Sequence, residues 1–93
     1  MKNYNRDINY NDLGLHWVPT SPHVPNANTP LYMVATGIVG ELGFFSNGVG
    51  YTTPFMTLGA PWIDANLLAE KMNLLGLEGV IFRPVNYKPY YAN

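Results

Sequence analysis

A chain of 93 residues with 47% hydrophobic and 12% charged side chains is one folded domain or part of one, since domains mostly run ~100–200 residues. Five basic against six acidic residues give a net charge of -1 with no basic run, which argues against nucleic acid or an anionic membrane as partner. The absence of cysteine excludes disulfides, thiolate metal sites and cysteine nucleophiles.

Residues 1–30 are dominated by Asn, Asp, Tyr and Pro, with Pro19, Pro22, Pro25 and Pro30 closely spaced. Proline fixes φ and pushes its predecessor towards extended geometry, so residues 18–30 read as an irregular arm. Thirty residues without regular structure are unusual in a compact domain, and such an arm is expected to drape over other protein. The first residues, Met1-Lys2-Asn3-Tyr4-Asn5-Arg6-Asp7, lack the apolar core of a signal peptide. No apolar run approaches the ~20 residues of a membrane span.

Leu31-Tyr32-Met33-Val34-Ala35 reads as a short buried strand. Glycines at 37, 40, 43, 48 and 50 then mark a loop that needs φ > 0 or a close approach, with one helical turn expected at residues 38–42. Residues 51–58 are strand-like but broken at Pro54, which favours a sheet edge. Asp64 is a good N-cap, Leu67, Leu68, Met72 and Leu75 share a helical face, and Gly76 sits where αL geometry closes a helix. A helix is therefore expected over 65–75, then a turn at Glu78-Gly79 and a strand at 80–83 limited by Pro84. The residues thus predict an α/β or α+β fragment: a Pro-rich arm, short strands around a glycine-rich loop, and one amphipathic helix followed by a strand.

Three strings carry a family resemblance: Leu15-His16-Trp17-Val18-Pro19-Thr20-Ser21-Pro22, then Gly59-Ala60-Pro61-Trp62-Ile63-Asp64, then Phe82-Arg83-Pro84-Val85. Their order and spacing resemble the exo-β-N-acetylmuramidases (NamZ-like proteins), a family first catalogued as a domain of unknown function. The match runs from about Arg6 to Pro89. The resemblance implies a Rossmann-like domain with a sugar cleft, joined to a smaller C-terminal domain, and release of N-acetylmuramic acid from non-reducing ends of peptidoglycan fragments. On that basis residues 1–58 resemble the end of the catalytic domain and 59–93 the start of the second. It implies no cofactor, and it allows a periplasmic, secreted or cytoplasmic setting.

The glycine-rich stretch departs from the family pattern. Glu41 keeps the first glutamate, but Phe44, Asn47 and Val49 stand where the family has asparagine, glutamate and arginine, and His23 replaces an asparagine of the arm. Glycoside hydrolysis uses one carboxyl group as acid and a second as base or nucleophile. Glu41 is the best first member, against the plainer reading of a solvated loop glutamate. Asp64 reads as a cap, and Asp7, Asp12, Glu70 and Glu78 read as solvent-facing, so no complete acid/base pair is evident.

The resemblance further implies sugar contacts from His23, Asn47, Arg83 and Trp17. Arg83 suits either a bidentate clamp on a carboxylate or a structural ion pair. Trp17, Trp62, Tyr32 and Tyr51 can stack on sugar faces, though Trp62 beside its helix cap reads first as core. His16 and His23 match no metal-ligand spacing. The partners expected are a peptidoglycan-derived sugar, a second copy of the chain, or further sequence of the same protein.

Overall fold

The computed structural model describes residues 2–91. Its regular elements are a 3-10 turn over Tyr10–Leu13, helix α1 over Thr29–Glu41 and helix α2 over Ala65–Leu74. Elsewhere the described chain runs in turns and extended segments, joined by two isolated antiparallel bridges, Ser21↔Val24 and Ser46↔Gly59. The fold is thus α-dominated. None of the strands expected at 31–35, 51–58 and 80–83 forms among the described residues, which corrects the α/β expectation. Each segment has a separate reason.

Residues 31–35 belong to α1. Asn26 Oδ1 accepts from the Asn28 N–H at 3.1 Å and from the Thr29 hydroxyl at 3.2 Å, turning the chain into the helix. Pro30 occupies the first turn, where its missing N–H costs nothing and its fixed φ suits the helix. Val34, Thr36, Ile38 and Val39 with Gly37 and Gly40 are weak helix formers, so the local pattern reads as strand and then loop. Tertiary anchoring overrides it. The Thr36 hydroxyl lies 3.0 Å from the Tyr32 carbonyl and 2.8 Å from that of Phe55, tying the helix to the later loop. The turn expected at 38–42 forms as the end of α1, and Gly43 follows it at φ +76°.

Residues 51–58 use their amides in turns rather than a ladder. Tyr51 N–H donates to the Gly48 carbonyl at 3.1 Å, with Gly50 at φ +96°. Met56 N–H donates to the Thr53 carbonyl at 3.2 Å across Pro54 and Phe55, and Phe55 has φ +63°. Residues 80–83 are extended, but their pairing is supplied by a side chain. The Asn73 amide donates to the Phe82 carbonyl and accepts from its N–H, both at 2.8 Å.

Helix α2 forms as its local signals dictate. Asp64 Oδ1 accepts from the Leu67 N–H at 3.0 Å, satisfying one of the orphan donors of the first turn. Lys71 lies in the last turn, and Gly76 closes the helix at φ +64°. Of the face expected to be apolar and inward, Leu68 and Met72 are half-buried while Leu67 and Leu75 are exposed.

The two helices do not pack on each other. Among the described residues only Thr29, Gly48, Pro54 and Ala69 are buried. The molecule exposes 7947 Å² at 10.4 kDa, whereas a compact monomer of that mass exposes about 5400 Å². Its radius of gyration of 15.3 Å likewise exceeds the about 12 Å of a compact chain of this length. Apolar side chains form stripes open to solvent: on α1, Leu31, Val34, Ile38 and Leu42 follow helical spacing, with Val34 79% and Ile38 78% exposed. Trp62, expected in the core, is 65% exposed, with the Phe45 ring 6.1 Å from its own.

Candidate functional site

Glu41 is the last residue of α1 and is solvent-exposed. It lies at one end of an open groove of about 750 Å³. The helix wall presents Met33, Val34, Gly37 and Ile38, ending in Gly40 and Glu41. The rest of the lining comes from Asn47 and Val49 of the glycine-rich loop and from Phe55 beyond it. The groove is thus mostly apolar, with Glu41 and Asn47 as its polar side chains.

Two local features bring the helix and the loop together. At Gly40 the helix offers no Cβ, and the Asn47 side chain occupies that space, the Asn47 Cγ lying 3.0 Å from where a Cβ would stand. Any larger residue at 40 would displace Asn47, so the glycine sets the approach. The loop is then fixed by backbone pairing: Ser46 and Gly59 exchange two hydrogen bonds of 2.8 and 2.9 Å, and Phe55 N–H donates to the Asn47 carbonyl at 2.7 Å. Tyr87 hydroxyl donates to the Ser46 carbonyl at 3.0 Å. Tyr87 also lies so close over Gly59 that a Cβ there would be 2.9 Å from its hydroxyl oxygen. Tyr90 covers Gly50 in the same way, at 2.7 Å.

Of the expected site residues, the structure brings together Glu41 and Asn47. His23, Trp17 and Arg83 do not line the groove. His23 is half-buried in the arm, edge-on to Tyr91 with ring centroids 5.9 Å apart. Trp17 packs edge-on against Tyr10 at 5.3 Å, and its indole N–H is buried without a protein partner. Arg83 is exposed on the extended segment held by Asn73, and no ion pair holds it among the described residues. No cluster of three His, Asp or Glu side chains among the described residues is arranged to hold a metal ion. A smaller crevice of about 180 Å³ between Tyr51, Thr53, Thr57 and Tyr87 contains no carboxylate.

Glu41 is the one carboxylate lining the groove among the described residues. Acid-and-base cleavage of a glycosidic bond in the usual manner needs a second carboxyl group about 5–9.5 Å away. The groove offers apolar surface with one carboxylate and one amide side chain, and no second carboxylate lines it among the described residues. Sequence reasoning missed Phe55 and Thr36. The signal was the Thr53-Pro54-Phe55 string, where proline opens a turn rather than interrupting a strand.

The sequence model of the family described as exo-β-N-acetylmuramidase NamZ, C-terminal, matches residues 31–93. The chain belongs to the NamZ family. It is 36% identical over 92 residues to the peptidoglycan β-N-acetylmuramidase NamZ of Bacillus subtilis strain 168, covering 99% of this chain and 22% of that protein. The crystal structure of a DUF1343 family protein from Bacteroides fragilis matches with a TM-score of 0.84 and 46% identity, over 95% of this chain and 23% of that one. The chain thus spans less than a quarter of the length of either relative. The same irregular backbone exists in a protein about four times as long, and NamZ membership agrees with the resemblance read from the three sequence strings.

Proposed function

We propose that this chain forms one wall of a NamZ-type glycan groove, straddling the junction of the two domains that the resemblance implies. In that role it holds the terminal sugar of a peptidoglycan fragment, with Glu41 directed at the glycosidic oxygen or its neighbouring hydroxyls and Asn47 supplying a neutral hydrogen bond. Bond cleavage requires a second carboxyl group from other sequence, so the chain alone binds without turnover. The observation that carries this reading is the placement of Glu41 as the single carboxylate in the groove beside Asn47. The B. subtilis relative, named for its action on peptidoglycan, supports the substrate class.

The test is a titration with N-acetylmuramic acid, followed by the backbone amide signals of Gly37, Gly40 and Asn47. Saturable shifts that are lost in Glu41→Gln support the reading; shifts unaffected by that change remove Glu41 from it.

The excess exposed surface supports a second property, association through the α1 stripe of Leu31, Val34, Ile38 and Leu42. A stable interface of standard size removes about 800 Å² per partner, and the surface in excess of a compact monomer is about 2500 Å². We propose that further sequence of the same protein covers most of it and that the isolated chain self-associates in its absence, in competition with sugar because Val34 and Ile38 also line the groove.

A further inference from the structure

The turn from Thr53 to Met56 contains Phe55, which with Asn3 is one of the two non-glycine residues at positive φ among the described residues. Its closing bond, Met56 N–H to the Thr53 carbonyl at 3.2 Å, spans Pro54 at the second position and Phe55 at the third, with Phe55 at φ +63°. A turn with proline second and positive φ third is of type II, where glycine or asparagine ordinarily sits. A bulky aromatic residue there pays a steric penalty that glycine avoids. The penalty is held in place from both sides. Phe55 N–H is fixed on the Asn47 carbonyl at 2.7 Å, and its carbonyl receives the Thr36 hydroxyl at 2.8 Å. Both anchors belong to the walls of the groove or the helix that forms one.

What this conformation achieves is a position. Phe55 is half-buried and lines the groove together with Glu41, Asn47 and the aliphatic residues Val34 and Ile38. It is the one aromatic residue lining that groove among the described residues; Trp17 and Trp62 do not line it. Strained backbone that is over-determined by its surroundings points to function. An aromatic face in a concave apolar site with few polar groups suits a ligand having one apolar face and a polar rim.

We infer that Phe55 is the stacking platform of the groove, taking the C–H face of a pyranose ring, with Thr36 as the positioning residue that holds it in the left-handed conformation. This deepens the proposed function and rests on its groove, though not on Glu41. The ring orients the sugar by its face, and Glu41 and Asn47 meet its rim.

The experiment compares Phe55→Leu, Phe55→Tyr, Phe55→Ala, Phe55→Gly, Thr36→Val and Glu41→Gln in the full chain. Each variant is titrated with N-acetylmuramic acid and N-acetylglucosamine by amide shifts, and its thermal melting is recorded. Phe55→Leu is expected to weaken sugar binding about ten-fold, the size of one lost aromatic stack, while Phe55→Tyr stays within about two-fold. Thr36→Val keeps the side-chain volume but frees the Phe55 carbonyl, and it is expected to weaken binding and, because the same bond anchors α1, to lower melting by about 4–8 °C. Phe55→Gly and Phe55→Ala both lose the ring, but only glycine relieves the backbone, so Phe55→Gly is expected to melt about 4–8 °C above Phe55→Ala. Sugar binding that is weakened by Glu41→Gln but unchanged in Phe55→Leu would overturn the platform and leave the proposed function standing. Binding lost in Phe55→Leu but unchanged in Glu41→Gln supports the platform and overturns the role of Glu41. Equal melting of the glycine and alanine variants, or no shifts with either sugar in the parent, would overturn the platform.

Discussion

Replacing Asn73 by alanine perturbs a contact whose size follows from the structure. The Asn73 side chain makes two hydrogen bonds of 2.8 Å to Phe82, one in each direction, and they hold the extended segment after α2 against that helix. Each such bond contributes about 0.5–1.5 kcal/mol net, and both are exposed, so the pair contributes about 1–2 kcal/mol. Alanine is the better helix former, which offsets a few tenths of that loss. Because no strand pairs with residues 80–83 among those described, the segment has no ladder to fall back on. Hydrogen exchange at the Phe82 amide is therefore expected to accelerate about 5–30-fold in Asn73→Ala, and chymotrypsin to cut after Phe82 sooner. Asn66, also exposed on α2, is the control, and Asn66→Ala is expected to stay within about 0.5 kcal/mol of the parent. Unchanged Phe82 exchange in Asn73→Ala, or equal effects at both asparagines, would refute the view that a side chain replaces the missing strand partner.

Removing the α2 cap in Asp64→Ala takes away the bond to the Leu67 N–H and is expected to cost about 1 kcal/mol in chemical denaturation. Gly50→Ala is expected to cost more, since φ is +96° and a Cβ would meet the Tyr90 ring at 2.7 Å; loss of near-ultraviolet dichroism from the tyrosine cluster would report it. Val34→Lys with Ile38→Glu changes side chains that are 79% and 78% exposed, so melting should hardly move while sedimentation shows weaker self-association. Retained association in that double variant would place the contact elsewhere.

What was legible in the sequence was whatever local chemistry decides. Asp64, the apolar positions of α2 and Gly76 specify a helix through neighbours three to four residues away, and the structure forms it at Ala65–Leu74. The Pro-rich arm was legible for the same reason, because proline acts on its own φ and on its predecessor. Helix α1 was not. Its β-branched residues and glycines favour other conformations and outweigh the local turn that Asn26 sets at Thr29, while its anchor at Phe55, nineteen residues beyond Thr36, acts through folding rather than through the pattern. The strand expected at 80–83 does not form, because a strand needs a neighbour and Phe82 instead pairs with the Asn73 side chain. Glu41 was found as a carboxylate in a glycine-rich stretch, and its meeting with Asn47 depends on the bare backbone at Gly40. Trp17 and Arg83 were inferred from positions in family strings, and His23 from the arm position where the family has asparagine; none of the three lines the groove. Phe55 was hidden because a proline in an apolar run reads as a broken strand, whereas the positive φ that follows it appears only in three dimensions.

The central claim is that the groove presents one carboxylate of the pair used for glycoside cleavage. It is tested most directly by incubating the purified chain with a chromogenic β-N-acetylmuramide and measuring release of the chromophore alongside Glu41→Gln. No release above the variant is expected, with sugar binding still detectable. Release by the parent chain that disappears in Glu41→Gln would contradict it, because a complete catalytic site would then exist within these 93 residues.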